Sequence, residues 1–379
     1  MESSHLPRVW AEIDLAAFER NVGKIKEAIP EGIHYISVVK ADAYGHGVAY
    51  IVERLLQCGI DSFAVANARE GADVRYVAPQ AEIYILGPSL PEEFGTIIAE
   101  NLVPAISNAD EADRFDALAA DAGTQLSVNL KIDTGMGRMG VWHAEALPLA
   151  LHIAAKKNLR FCGVFTHFSS ADTSLEFTEL QRLRFLSVIN RFPEDLRRGL
   201  RIHADNSAGL DSMVRDGVFN AIRAGIIQYG LKPAAGTIFE KIAPDPVLSF
   251  HSRIGLIKMM PAGVPVSYNR TYTLNRETRI GIVTAGYGDG IPTAASNKAH
   301  FLVRGKRVPV LGRVTMDQTL VDLTDAPEVQ VGDKVTIIGS DGDECVSIET
   351  FCEWGDCIPW EALVSITKRV LRIYRGQRN

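Results

Sequence analysis

Between residues 33 and 223, short apolar, β-branched runs alternate with amphipathic stretches. The runs at 33–39, 62–66, 82–86, 102–106, 126–132, 160–165, 200–203 and 220–223 have strand length and composition. Residues 45–57 place Val48, Ile51, Val52 and Leu55 at three- and four-residue steps, and 176–191 carry Phe177, Leu180, Leu183 and Val188 in a polar, arginine-rich background. Both patterns predict helices. Ahead of the first run, Asp14 stands where it can cap a helix whose apolar face is Leu15, Phe18, Val22 and Ile25. Eight strand–helix alternations in about 230 residues predict an α/β fold of the TIM type, a (β/α)8 barrel. A doubly wound sheet competes with it, but no G-x-G-x-x-G follows any of the runs.

After residue 240 the texture changes. Runs at 247–258, 279–284, 301–311, 319–323 and 334–338 are strand-like and are punctuated by Pro261-Ala262-Gly263, Gly305-Lys306 and Gly332-Asp333-Lys334. Helical patterning returns only near 347–354 and 360–366. The expected division is a barrel over 10–240 and a mainly β domain over 241–379, with residues 1–9 packing on the second. No internal repeat or low-complexity segment interrupts either part.

With 379 residues, 46% hydrophobic and 23% charged, the chain has room for two ordinary globular domains. A net charge of −6 leaves no basic footprint for nucleic acid. The start M-E-S-S-H-L-P-R-V-W is no secretory signal, and no apolar run reaches membrane-spanning length. A cytoplasmic protein with no membrane partner is expected. The five cysteines (58, 162, 345, 352 and 357) form no C-x-x-C pair, so free thiols and no metal are expected.

In a TIM barrel the chemistry sits at the carboxyl ends of the strands, and here the polar residues gather there. Lys40 follows the first run, in Val38-Val39-Lys40-Ala41-Asp42-Ala43-Tyr44-Gly45-His46-Gly47. Burial lowers a lysine pKa, and a neutral ε-amine forms a Schiff base with an aldehyde such as that of pyridoxal phosphate. The fifth run leads into Lys131-Ile132-Asp133-Thr134-Gly135-Met136-Gly137-Arg138, a glycine-rich loop with two cations. Thr166-His167-Phe168 closes the sixth, where His167 reads equally well as a structural histidine. His203-Ala204-Asp205-Asn206-Ser207 closes the seventh, and Arg223-Ala224-Gly225-Ile226 the eighth. The last two loops match the usual phosphate site of the fold. Arg223, near a barrel interior, needs a partner to offset its desolvation. The run Gly286-Tyr287-Gly288-Asp289-Gly290 lacks the lysine and the following helix of a phosphate-binding loop and reads as a tight turn.

The motifs V-V-K-A-D-A-Y-G-H-G, K-I-D-T-G-M-G-R-M-G, T-H-F-S-S-A-D, N-S-A, R-A-G-I-I-Q-Y-G-L, V-S-Y, G-Y-G-D-G and G-R-V-T-M-D-Q closely resemble those of the alanine racemases. The resemblance runs from W-A-E-I-D-L at 10–15 to R-V-L-R-I at 369–373. It implies a pyridoxal-phosphate enzyme that interconverts L- and D-alanine by two bases, supplying D-alanine for peptidoglycan. Lys40 would hold the cofactor and act as one base; Tyr268, in V-S-Y, would be the other. It implies a homodimer with shared sites, in which Tyr268 and the Met316 backbone come from the neighbouring subunit. Arg138 and Met316 would face the substrate; Tyr44, Ser207, Gly225 and Ile226 would contact the cofactor's phosphate, and Asn206 would also bind the cofactor. His167 would lie near the ring and Arg223 at its nitrogen. Lys131, carbamylated in many relatives, would fix Arg138, with Tyr287 and Asp317 in support.

The chain departs from the family pattern in three places. Asn269-Arg270 follow Tyr268 where relatives carry small residues, bearing on substrate preference; R-V-P-R becomes Arg369-Val370-Leu371-Arg372; and Lys368 stands where a phosphate-contacting tyrosine is expected. The competing readings are a serine or broad-specificity racemase and a non-catalytic pyridoxal-phosphate carrier. A carrier would need no opposing base. A barrel decarboxylase for basic amino acids is disfavoured because its C-G-E-S-type motif is absent.

Overall fold

The computed structural model describes residues 7–204, 217–232 and 242–377. Among these, residues within 18–43 and 47–245 form one compact unit, and those within 1–17, 44–46 and 246–379 form a second.

The first unit is a ring of eight parallel strands. His34–Val38, Ser62–Val65 and Glu82–Ile85 line up beside Ala221–Ala224, and Ala105–Ile106, Leu126–Asp133, Leu159–Phe165 and Arg201–His203 form the other arc. The seams close through single residues. Val103 donates to the Ile83 carbonyl at 2.8 Å and accepts from the Ile85 amide at 2.9 Å. Asn220 donates to the Ile202 carbonyl at 3.1 Å and accepts from the His34 amide at 2.9 Å. The expected run at 102–106 is divided by Pro104, which has no N–H to donate. Val103 therefore serves one neighbour, and only Ala105–Ile106 pair regularly with the next. The expected barrel is thus the observed one.

Helices Val48–Gln57, Ala68–Val77, Phe94–Ala99, Ala109–Asp121, Ala146–Ala154 and Leu175–Ile189 follow successive strands. The Asn67 and Asn108 side chains accept from the Glu70 and Glu111 amides, satisfying donors that a helix start leaves open. In Leu175–Ile189 the buried face is Gln181, Phe185, Val188 and Ile189, while Leu180 and Leu183 lie exposed. Of the apolar stripe expected there, Val188 reaches the core and Leu180 and Leu183 do not; a buried glutamine, held by hydrogen bonds to two neighbouring loops, takes the place of an aliphatic residue.

The second unit is built on a bent strand, Leu248–Met260, whose register shifts between Ile254 and Leu256. Its first half pairs with Lys334–Asp341 and its second with Thr278–Val283. Trp10–Asp14 lies between Leu248–Met260 and the parallel strand Leu371–Arg375. A division at residue 10 would leave this strand with the barrel. The backbone pairing, with Ala11 and Ile13 fully buried, joins it to the β unit instead. Asp14, at its end, caps the following helix as expected, its Oδ1 accepting from the Ala16 and Ala17 amides. The two late helical stretches appear as Ile348–Gly355 and Pro359–Ser365. No helix among the described residues is long and apolar enough to cross a membrane.

Candidate active site

Strand His34–Val38 hands the chain to Lys40 through Val39, whose amide bonds the Ala64 carbonyl at 2.9 Å. Immediately after Lys40 the backbone makes a left-handed helical turn: Ala41, Asp42, Ala43 and Tyr44 all have φ between 53° and 54°. L-residues pay roughly 1–2 kcal/mol each for that conformation, so surrounding contacts must hold it. Glu70 accepts from the Ala41 amide at 2.9 Å through Oε1 and from the Ala66 amide at 2.8 Å through Oε2. Asp42 Oδ1 accepts from the Val48 amide at 2.7 Å. The strand before Lys40 is fastened as well. Gln228 Nε2 and the Tyr229 hydroxyl both donate to the Val38 carbonyl, at 3.1 and 3.0 Å, and the Ser37 hydroxyl donates to Gln228 Oε1 at 3.0 Å. Gln228 and Tyr229 belong to the short 3-10 helix Ile226–Tyr229 that Gly225 opens. The lysine and the expected phosphate loop after the last strand are thereby one rigid assembly.

Four strands send side chains to a common centre inside the ring. The Lys131 amine sits 4.9 Å from the centroid of the Phe165 ring and the Arg223 guanidinium 5.3 Å from it. Phe165 stacks on His203 at 5.2 Å. Arg223 donates to His203 Nδ1, to the Thr166 carbonyl at 2.9 Å and to the Ala204 carbonyl at 3.0 Å. The partner its burial required is thus a histidine and carbonyls, with no carboxylate among these contacts. His167 Nδ1 lies 3.4 Å from the same guanidinium.

The electrostatics follow from this crowding of cations. Burial, then Arg138 and Arg223, hold the Lys40 ammonium below its ordinary pKa, with Glu70 opposing. Burial and the guanidiniums of Arg223 and Arg138 hold Lys131 well below its ordinary value. Burial, Arg223 and Lys131 push His167 down to about 2 and His203 also downward, so both imidazoles are neutral. Arg138 is exposed and makes no hydrogen bond or ion pair among the described residues. Glu70 is the carboxylate that acts on Lys40, and Asp133 the one that acts on Lys131. This gathering of cations, beside an amine held below its ordinary pKa, fits an anionic group carrying an aldehyde.

Loops after the strands are cross-tied. Gln181, fully buried, donates to the Thr134 hydroxyl at 3.2 Å and to the His167 carbonyl at 3.1 Å, and accepts from the Ser169 amide at 2.9 Å. It therefore fixes the Lys131–Arg138 loop against the His167 loop, which explains the polar residue on the buried helix face. Asp133 Oδ1 accepts from the Gly135 and Gly137 amides. Asn206 and Ser207 lie outside the described residues. Sequence reasoning passes over His203, Gln181 and Glu70 as individual site residues. His203 has the same strand-end signal as His167, and N-A-R-E at 67–70 is a capping pattern.

In the second unit, Tyr268 sits on a strained turn. Ser267, Asn269 and Arg270 have φ of 61°, 58° and 53°, and the Ser267 hydroxyl donates to the Arg313 carbonyl at 2.7 Å. Gly286 and Gly288 pack on the Thr315–Met316 backbone, where a Cβ on Gly286 would stand 2.0 Å from the Thr315 carbonyl oxygen. The 286–290 run is a tight turn, with Gly290 N–H bonded to the Tyr287 carbonyl. Asp289 and Asp317 both pair with Arg369, at 2.7 and 2.9 Å. Tyr268, Tyr287 and Met316 are exposed, Tyr268 to 68%. Arg372 donates to the Ile366 and Thr367 carbonyls at 2.7 and 2.6 Å and to the Gly45 carbonyl at 3.2 Å, which ties the strand Leu371–Arg375 to the end of the left-handed turn. Lys368 is exposed and has no hydrogen bond or ion pair among the described residues.

Comparison with known proteins agrees with this layout. Residues 13–233 match the model of the alanine racemase N-terminal domain and residues 247–374 that of the alanine racemase C-terminal domain. The chain is 37% identical to an alanine racemase of Halothermothrix orenii over 97% of both chains. It superposes with a TM-score of 0.90 and 32% identity on alanine racemase from E. faecalis, covering 99% of this chain and 100% of that one. An alanine racemase from Bartonella henselae solved with covalently bound pyridoxal phosphate matches at TM-score 0.86 and 25% identity, over 97% and 100% of the two chains. A ring of eight parallel strands with a depressed lysine at a strand end, a β unit carrying an exposed tyrosine, and relatives matched along nearly their whole length place the chain in the alanine racemase family.

Proposed function

We propose that this chain is an alanine racemase that uses pyridoxal 5'-phosphate to interconvert L- and D-alanine. The observation that carries the proposal is Lys40, at a strand end, its ammonium held below the ordinary pKa by burial and by the guanidiniums of Arg138 and Arg223. Bound pyridoxal phosphate supplies an aldehyde that condenses with an amine and a ring that draws electron density from the substrate Cα. Lys40 is the residue that would hold it, with Tyr44, Ser207, Gly225 and Ile226 toward the phosphate and Asn206 also in contact with the cofactor.

Racemisation requires one proton to leave Cα from one face and another to arrive on the opposite face. The Lys40 amine serves one face and the Tyr268 hydroxyl the other, each returning in protonated form what it accepted in the reverse direction. Arg223 cannot surrender a proton, so it would hold the ring nitrogen unprotonated and limit the electron density drawn into the ring. His167 stays neutral beside the ring. Arg138 and the Met316 backbone would orient the substrate carboxylate, with Tyr287 and Asp317 in support.

The Lys131 amine, held well below its ordinary pKa by burial and by Arg223 and Arg138, is suited to combine with carbon dioxide, releasing a proton and leaving a carbamate anion that can pair with Arg138. Exposed Tyr268, Tyr287 and Met316 on one loop cluster support a homodimer in which each tyrosine serves the partner's barrel. In this reading the barrel ends near residue 240 and the β domain delivers the second base. Five free cysteines support a reducing, cytoplasmic setting, where D-alanine would feed peptidoglycan synthesis.

The test is direct. Protein supplemented with pyridoxal phosphate is incubated separately with L-alanine, L-serine and L-lysine, and D-enantiomer formation is followed. Fastest turnover of alanine is expected. Comparable turnover of serine would favour a broad-specificity enzyme, and none with any substrate would leave only a carrier.

A further inference from the structure

We infer that Asn129 is a positioning residue whose side-chain oxygen accepts the Nε2–H of His203 and so fixes the tautomer that receives Arg223. The inference rests on the reading that Arg223 faces the cofactor ring. Arginine is always a donor, so His203 Nδ1, which faces the Arg223 guanidinium, must be an acceptor. A neutral imidazole then carries its proton on Nε2.

Nε2 lies 3.5 Å from the Asn129 amide. With Nδ2 turned toward it, two donors would meet, and among the described residues the buried Oδ1 has no hydrogen-bond partner. Gly163 stands against the same amide. The point where a Gly163 Cβ would stand is 2.3 Å from Oδ1 and 2.9 Å from the Arg201 carbonyl oxygen. The two orientations of an asparagine amide have the same shape. Turned by 180°, the oxygen accepts from Nε2–H. That rotation removes the donor–donor conflict and gives the buried oxygen its partner. Gly163 is what makes the room, because any side chain there would occupy the amide's place.

The consequence reaches the site through one imidazole. In the other tautomer, Nδ1–H would point at the Arg223 N–H groups and push the guanidinium away. Asn129 thus acts on Arg223 without touching cofactor or substrate.

Long-range 1H–15N spectra of histidine-labelled holoenzyme, with His203 assigned from a His203→Gln sample, test this. Wild-type His203 is expected as the Nε2–H tautomer from about pH 6 to 8. In Asn129→Leu, which keeps the volume but removes the acceptor, mixed tautomers are expected, with kcat lower by about tenfold, the worth of one hydrogen bond, and KM for alanine nearly unchanged. In Asn129→Asp the carboxylate should raise the imidazole pKa and yield a doubly protonated ring. An Nδ1–H tautomer in the wild type, or Asn129→Leu with wild-type tautomer and kcat, overturns the assignment. The wild-type spectrum decides even if the variants do not fold. Absence of racemisation by a protein with the expected tautomer would instead count against the racemase reading.

Discussion

Glu70 and Ala41 are joined by a hydrogen bond of 2.9 Å from backbone amide to carboxylate, one residue after Lys40. The other carboxylate oxygen accepts from Ala66 at 2.8 Å, and the Glu70 amide is itself capped by Asn67. A helix N-terminus is thus used as the anchor for a strained left-handed turn. The strain would otherwise relax and carry the lysine with it.

Glu70→Ala should therefore cost about 1.5–3 kcal/mol of stability, the range for a hydrogen bond to a charged group. It should also speed cofactor loss and lower the Lys40 pKa further, since Glu70 is the group that raises it. Urea unfolding and dialysis of the holoenzyme measure the first two. Wild-type values in both would mean the turn stands without Glu70.

Lys40→Ala and Tyr268→Phe should each abolish nearly all racemisation, Tyr268→Phe while keeping the cofactor. Mixing the two inactive proteins should restore some activity if each site takes its tyrosine from the second chain. Demonstrated subunit exchange with no rescue would show that each site is built within one chain.

Lys131 should be carbamylated. Burial and the neighbouring guanidiniums lower its pKa and so favour the reactive, unprotonated amine, and 13C-enriched bicarbonate should give a carbamate resonance that Lys131→Met lacks. Stripping carbon dioxide should lower wild-type activity and leave the variant unaffected. No resonance in the wild type would refute the modification.

Lys368→Ala should weaken cofactor retention by at most about 1.5–3 kcal/mol, the range for a charge-assisted hydrogen bond to phosphate. Cofactor loss during dialysis is the measurement. An unchanged rate would assign the exposed ammonium to solvent.

Acid should destabilise the protein below about pH 6.5. His167 and His251 are pushed down to about 2 and about 4 from 6.5, each chiefly by burial. Below 6.5 the unfolded chain binds protons that the native state refuses, so stability present above that pH is lost as pH falls toward the native values. Each histidine contributes a slope of at most about 1.4 kcal/mol per pH unit. Urea midpoints between pH 7 and 5 measure the total slope, and His251→Gln should reduce it. A flat profile would contradict the neutral, buried state of these rings.

Much of this arrangement is legible in the residues alone. Strand periodicity locates all eight barrel runs, because parallel strands buried on both faces must be continuously apolar. Strand ends then point to Lys40, Lys131, His167 and Arg223. For the helix at 175–189 the same periodicity places Val188 correctly but turns Leu180 and Leu183 inward, because Gln181 is buried for its hydrogen bonds and an apolar pattern cannot register that.

Local pattern was enough to determine the elements, the order of the two units and the lysine that follows the first barrel strand, since each depends on residues close together in the chain. Tertiary structure alone decided that Trp10–Asp14 joins strands more than 200 residues away, that Glu70 holds Ala41, and that His203 meets Arg223. Those pairings depend on which side chains the closed barrel and the folded sheet bring within hydrogen-bonding reach, and on the penalty for leaving a buried polar group without a partner. Neither quantity has a local signature in the sequence.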